Sequence, residues 1–357
     1  MQSEEDISTG VFFSCAVSAT RIRGTGRVEH EASSADAAGV AKKVILAEPR
    51  GFCAGVRRAI TVVEEALRIH GPPVYVRKEI VHNHRVVAEL SRRGVVFVDS
   101  EDEVPEGAVC IFSAHGVAPQ VRRNAEARRL DVIDATCPLV TKVHQEARRF
   151  ADAGRSIVLI GHREHEEVEG TYGEAPHEIT IVEKAEDVAR LELPGTAPLA
   201  FLTQTTLSVD ETEDLVQALR RRYPSIVAPG TGDICYASQN RQDAVKAVAA
   251  RSDLVLVVGS RNSSNSLRMV EVARSLGVPA YLVPEAEALD EGWLDGVRTV
   301  GVSSGASAPE VLVEELLGRL GRLGYLEIET ARTAVEDVVF KPPAQLSAGR
   351  AARVPEE

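Results

Sequence analysis

Three cysteines in this chain share one local setting. Cys53 follows the run KKVILAEPRGF, Cys137 follows LDVIDAT and Cys235 follows VAPGTGDI, and a helical pattern opens directly after each. A thiol at a strand-to-helix junction lies at the positive end of the helix, where exposed N–H groups favour the thiolate that binds metal. Gly51 and Gly55 flank Cys53, and Pro138, a residue favoured in a helix's first turn, follows Cys137. Three thiolates fall one short of the four that close an electron-transfer iron–sulfur cluster. They suffice for a 4Fe-4S cluster with one iron left open to substrate, a corner that combines Lewis acidity with electron donation. Zinc on three cysteines and a histidine is the structural alternative. No CxxC occurs, which counts against zinc ribbons and ferredoxin-type clusters. Cys110 is different: it sits inside the apolar run Val109–Phe112 and reads as a small core hydrophobe.

Polar loops supply the remaining candidates. His82 and Asn83, His115, His162 and His165, Thr203 to Thr206, Ser263 to Asn265, and Ser303, Ser304 and Ser307 all close strongly apolar runs. Singly these are ordinary turn and cap residues. Together they form a set of hydroxyl, amide and imidazole donors suited to a phosphate or diphosphate. A Walker loop is absent, and GTGDIC at 230–235 breaks the dinucleotide fingerprint at its last position, so neither ATP nor NAD is indicated. GHREHEEVEGT, at 161–171, groups His162, His165, Glu166, Glu167 and Glu169, yet Glu169 stands where HExxH needs its second histidine. Its acids suit a solvated helix start. One of them, if desolvated, would hold its proton to higher pH and serve as a general acid.

The spacing of these groups dictates the elements that must hold them. From each cysteine to the first polar loop there are 29, 28 and 28 residues, ending at His82, His165 and Ser263. To the second loop there are 62, 68 and 72, ending at His115, Thr205 and Ser307. Each unit reads strand–Cys–helix–strand–loop–helix–strand–loop, an internal repeat filling residues 44 to about 320. In parallel α/β units ligands sit beyond the carboxyl ends of the strands, where these loops fall. Three such modules around a centre would aim three cysteines and six loops at one place.

Composition sets the wider limits. The chain has 357 residues, a formal net charge of −12, 44% hydrophobic and 26% charged residues, which predicts a globular α/β protein rather than a nucleic-acid or anionic-membrane binder. Aromatic residues are only 4%, so the core must be aliphatic. No apolar run reaches the roughly 18–20 residues of a membrane span. Five scattered cysteines do not form a secreted disulfide framework, and the acidic start (Glu4, Glu5, Asp6) is unlike a secretory signal; a cytoplasmic location is expected.

The segments EPRGFCAGVRRAI, VHN at 81–83, FSAHGV, DATCPLVTKVH, the GH–H–EVEGT stretch, TQTTLSVD, DICYA with NRQ, VVGS with NSSNS, and GASAP occur in this order. Over about Lys43 to Leu346 the chain thereby resembles the 4-hydroxy-3-methylbut-2-enyl diphosphate reductase family. The resemblance implies the last step of the non-mevalonate isoprenoid pathway: an allylic alcohol diphosphate loses its hydroxyl by two-electron, two-proton reduction. The products would be isopentenyl and dimethylallyl diphosphates. It implies Cys53, Cys137 and Cys235 as ligands of a 4Fe-4S cluster, one per subunit. His82, His115, His165, Ser263, Asn265 and Ser307 would hold the diphosphate, with Ser264 alongside. Glu167 would donate the proton, and Thr205 would lie by the hydroxyl and relay it. Electrons would come from a ferredoxin or flavodoxin; the run Arg220-Arg221-Arg222 is a candidate basic patch for docking it.

Two departures stand out. Position 166 is Glu where the family pattern has Pro, adding a negative charge beside the presumed donor, and Ser303 and Ser304 replace a frequent Thr and Ala. A non-redox iron–sulfur hydro-lyase and a zinc-stabilised scaffold remain as competing readings, separable by turnover without reductant and by metal and sulfide analysis. The expected architecture is three similar α/β modules, mostly parallel, in a pseudo-threefold trefoil around a central iron–sulfur site. Its expected segments are a disordered extension at 1–41 containing Cys15, a first strand and cysteine loop at 42–54 packing with the third module, modules at 55–137, 138–234 and 235–322, and a C-terminal segment at 323–357 with a disordered end.

Overall fold

The computed structural model describes residues 42–193 and 198–346, so the expectations for 1–41, for Cys15 and for the last residues lie outside it. In chain order the first elements are β1 (Lys42–Glu48), α1 (Ala54–His70), β2 (Val74–Arg77), α2 (His84–Arg92), β3 (Val95–Val98), β4 (Val109–Phe112), α3 (Pro119–Ala127) and β5 (Asp131–Asp134). Next come α4 (Pro138–Asp152), β6 (Ser156–Ile160), α5 (Glu166–Tyr172), β7 (Ile179–Val182), α6 (Ala185–Arg190), β8 (Leu199–Thr203) and α7 (Val209–Arg222). The third stretch holds α8 (Tyr236–Ala249), β9 (Leu254–Val258), α9 (Ser264–Ser275), β10 (Ala280–Val283), β11 (Thr299–Ser304), α10 (Glu310–Arg322) and β12 (Tyr325–Arg332).

These strands form three separate sheets, ordered β3-β2-β4-β5, β7-β6-β8 and β10-β9-β11-β1-β12, and every pairing among them is parallel. The sequence shows why. LVLVV of β9 and LAFLT of β8 are buried at every position, the continuous apolar pattern of a strand covered by helices on both faces. Each sheet repeats one order, with the first strand after the cysteine helix in the middle. This is the expected set of three parallel α/β modules.

The segment leading into each cysteine pairs with strands other than those that follow that cysteine. β5 leads to Cys137 from beside β4, and β1 leads to Cys53 from between β11 and β12. The segment before Cys235 makes only a single bridge, Val227 to Ala200 of β8. Lys142 explains this weak third strand: its ammonium donates to the carbonyls of Thr231 and Gly232 at 2.7 and 2.9 Å and meets Asp233 at 3.1 Å, satisfying a loop where the others have a ladder. The edge strands β3, β7 and β10 and the final β12 are additions to the sequence reading.

Cys110 is fully buried in β4, and burial pushes its thiol up to about 12. It packs with Phe112, Val121 and Leu130. Cys110→Ala is therefore expected to cost only about 1 kcal/mol in urea unfolding, comparable to one deleted core atom. Loss of bound metal in that variant would give Cys110 a ligand role instead.

Candidate functional site

Each of the three cysteines caps a helix. Cys53 is the N-cap of α1, Cys137 of α4 and Cys235 of α8. The Cys53 sulfur accepts the Val56 N–H at 3.4 Å, and the Cys235 sulfur accepts the Ser238 N–H at 3.3 Å with the Ser238 hydroxyl 3.1 Å away. All three line one cavity, together with His82, His115, His165, Glu167, Thr205, Thr206, Ser263, Ser264, Asn265 and Ser307. A β-carbon added at Gly55 would lie 2.7 Å from the Cys137 sulfur and 3.8 Å from that of Cys53, so glycine makes the room two sulfurs share. As free thiols, Cys137 and Cys235 are pushed up by burial to about 12 and about 11, against the lowering effect of their helix amides. A metal would remove that cost by deprotonating them.

Two buried contacts hold the cysteine loops in register. Arg241 of α8, fully buried, donates to the Gly51 carbonyl at 2.6 and 3.1 Å, to the Ala237 carbonyl at 2.8 Å and to Glu336 at 2.9 Å. It ties the Cys235 helix to the turn before Cys53. Asp233 accepts the Thr203 N–H at 3.0 Å, while the Cys235 N–H donates to the Thr205 carbonyl at 3.0 Å, locking that cysteine to the end of β8. Removing the guanidinium would leave the Gly51 carbonyl without its donor and Glu336 with only the Asn240 amide at 3.1 Å, so Arg241→Met is expected to cost about 3 kcal/mol of unfolding free energy. Unchanged denaturation would reduce Arg241 to a passive filler.

Three histidines from two modules meet on the far side of the cavity. His82 and His115 stack with centroids 4.1 Å apart and planes 16° apart, and His165 meets both edge-on at 5.5 and 5.8 Å. His165 Nδ1 accepts the Glu167 N–H at 3.1 Å, so in the neutral ring the proton sits on Nε2. Burial and its histidine neighbours push this ring down to about 3, so it donates as a neutral imidazole. Beside them, Ser263 accepts from the Ser266 hydroxyl at 3.0 Å, and Ser307 donates to the His82 carbonyl at 2.9 Å. Asn265 Oδ1 accepts the Ala306 N–H at 2.9 Å, which leaves its buried Nδ2 without a partner. Such an orphaned donor is what an anionic ligand would satisfy.

Glu167 lines the same cavity. It is 3% exposed, its Oε1 accepts the Thr205 N–H at 2.6 Å and its Oε2 accepts the Thr205 hydroxyl at 3.0 Å. Burial pushes it up to about 7; the Thr205 bonds oppose this and Asp233 adds to it. A carboxyl that keeps its proton near neutrality, linked to a hydroxyl in the same cavity, can give a proton and receive another.

Every residue expected in the site thus lines the cavity. Several loop candidates do not: Asn83 caps α2, His162 faces Arg268, Gln204 braces Thr206 and Ser264 from behind, and Ser303 and Ser304 lie inside β11 with unpartnered hydroxyls. Glu166 does not bear on Glu167; its carboxylate meets His115 Nδ1 at 3.1 Å. Arg222 is engaged with the Leu191 carbonyl. Sequence reasoning missed Glu79, Lys142, Asp233, Arg241 and Glu336. Lys142 in DATCPLVTKVH, Asp233 in DICYA and Arg241 in NRQ lay in motifs already singled out; Glu79 and Glu336 did not.

A family profile described as LytB protein matches residues 44–321. The chain is 58% identical over 306 residues to 4-hydroxy-3-methylbut-2-enyl diphosphate reductase of Acidothermus cellulolyticus, spanning 85% of this chain and 90% of that protein. It is similar to the solved structure of E-1-hydroxy-2-methyl-but-2-enyl-4-diphosphate reductase from Plasmodium falciparum, with 40% identity and a TM-score of 0.86 over 88% of this chain and 99% of that one. A second solved structure, of (E)-4-hydroxy-3-methyl-but-2-enyl diphosphate reductase, the terminal enzyme of the non-mevalonate pathway, matches at 32% identity and a TM-score of 0.57, covering 79% of this chain and 99% of that one. Among the described residues no helix is long and apolar enough to cross a membrane.

Proposed function

The chain belongs to the LytB protein family, and from that premise we propose how its own residues perform the reaction. It is a reductase of 4-hydroxy-3-methylbut-2-enyl diphosphate. Two electrons and two protons enter, the hydroxyl leaves as water, and isopentenyl and dimethylallyl diphosphates form. The observation that carries the assignment of residues is the convergence of three helix-capping cysteines, three histidines and one proton-holding carboxyl on a single cavity.

A metal cofactor follows from family membership, and the donor set fits a 4Fe-4S cluster. Three half-buried thiols line one cavity, two of them beside a recess that Gly55 leaves open, and none of the surrounding groups offers a fourth sulfur. Cys53, Cys137 and Cys235 would hold it, one cluster per subunit. When bound, it supplies the electrons and a Lewis-acid corner for the alcohol. The chain does the rest. His82, His115, His165, Ser263, Ser264, Asn265 and Ser307 grip the diphosphate, which fixes the hydroxyl end toward the cysteines. Protonated Glu167 gives its proton to the Thr205 hydroxyl oxygen 3.0 Å away as that hydroxyl passes its own hydrogen to the departing hydroxyl, while the Thr205 N–H holds the other carboxyl oxygen. As Glu167 loses its proton, the same two bonds stabilise the carboxylate, so the pair is arranged for both protonation states. Electrons come from a ferredoxin or flavodoxin, and the setting is cytoplasmic.

The test is anaerobic reduction of the allylic diphosphate with an artificial electron donor, counting iron and acid-labile sulfide on the same sample. Turnover that needs reductant, with about four irons and four sulfides per chain, is the expected result. Zinc without sulfide, or turnover with no reductant, would overturn the cluster assignment or the redox chemistry respectively.

A further inference from the structure

Behind the stacked histidines stand two carboxylates that the proposed chemistry does not use. Glu79 Oε2 lies 3.2 Å from His82 Nδ1 and is held by the Asn262 amide at 2.7 Å. Glu166 Oε2 lies 3.1 Å from His115 Nδ1. Neither carboxylate lines the cavity, whereas both imidazoles do, so each ring has its Nδ1 edge backed by an acid and its other nitrogen left for the ligand. An ionised carboxylate only accepts, so both Nδ1 atoms must carry the hydrogen. In a neutral ring with that tautomer, Nε2 is a bare lone pair. Facing a diphosphate oxygen, it would repel.

We propose that Glu166 is a positioning residue that lets His115 take up a proton as the diphosphate arrives, turning its lone pair into a donor. This inference rests on the assignment of the histidines to the diphosphate. An imidazolium at His115 would lie buried against the His82 ring at 4.1 Å, and the Glu166 carboxylate behind it supplies the compensating charge. The groups facing His115 are His82, His165, Glu166, Glu79 and the Ser113 hydroxyl at 3.3 Å; those facing His82 are His115, His165, Glu79, Glu166 and Asn262. Burial, and then His82, hold His115 below the ordinary histidine value, with Glu166 and Glu79 opposing. Burial alone would raise Glu166, but its hydrogen bond to His115 and the histidine charges bring it below the usual carboxylate range. The protein's own groups thus favour neutral His115, and a ligand's negative charge would shift the balance toward the protonated ring. His165, whose Nδ1 is occupied by an amide, already donates through Nε2 and needs no extra proton.

The experiment is calorimetric titration of the anaerobically purified full chain with inorganic pyrophosphate, at pH 6 and pH 8, in buffers of different ionisation enthalpy. Glu166→Gln keeps an acceptor for Nδ1 but removes the charge. A hydrogen-bonded opposite charge is worth about one to three pH units of histidine affinity for its proton, so at pH 8 the variant should bind about tenfold or more weakly. The loss should shrink at pH 6, and proton uptake per pyrophosphate should drop by about one relative to wild type. A purely structural role would be rescued by glutamine and would leave the proton count unchanged; that outcome overturns the inference while leaving the diphosphate assignment standing. Wild-type protein that does not bind pyrophosphate at all would overturn both.

Discussion

Glu167→Gln is expected to fold, retain its cofactor and bind the substrate, while turning over roughly a few hundred-fold or more slowly, the usual worth of a positioned general acid. Glutamine matches the size of glutamate in a site that is 3% exposed, so packing is conserved and the lost quantity is the transferable proton. The pH dependence is the sharper measurement. With Glu167 raised to about 7, the wild-type rate should fall as pH climbs through neutrality and the acid empties, and this limb should vanish in the variant. Stability runs in the same direction. A carboxyl raised on folding helps the native state while protonated and loses that contribution as pH rises from the ordinary glutamate range through about 7. Unfolding midpoints of wild type and Glu167→Gln should therefore shift in the variant's favour between pH 5 and pH 8. A variant with near-normal turnover and an unchanged pH profile would remove Glu167 from the reaction.

Much of this site was legible in the chain because its parts sit at element boundaries. A cysteine that closes a strand and opens a helix is marked by its neighbours, and loops after parallel strands must gather at one end of each sheet. Spacing of 28 to 29 residues from cysteine to first loop followed directly from one helix and one strand. What stayed hidden depends on contacts between distant segments. Arg241 and Gly51 are 190 residues apart, and Glu79 gains its role only when Asn262, 183 residues away, closes on it. Lys142 looks like any solvated helical lysine until it replaces a strand's hydrogen bonds. The strands β3, β7 and β10 are four residues each, too short for periodicity to separate them from loops. Glu166 was noticed as a departure, yet its target, a histidine 51 residues away, could be found only in space.

Gly55→Ala separates the helix from the site it serves. Alanine is the better helix former by about 1 kcal/mol, and Gly55 lies in the first turn of α1 without a positive φ, so secondary structure alone forecasts a gain. The new methyl would meet the Cys137 sulfur at 2.7 Å and its β-carbon at 3.4 Å, closer than carbon and sulfur tolerate, so the Cys137 side chain must swing away from Cys53. A ligand sulfur displaced from a shared recess cannot keep its place in a three-thiolate set. The expected result is a protein whose thermal unfolding is within a few degrees of wild type but whose iron and sulfide content and turnover fall several-fold or more. Cys137→Ser should lose both completely on an intact fold, giving the lower limit against which Gly55→Ala is read. Full cluster content in Gly55→Ala would mean that the recess between these sulfurs is not where the cofactor sits.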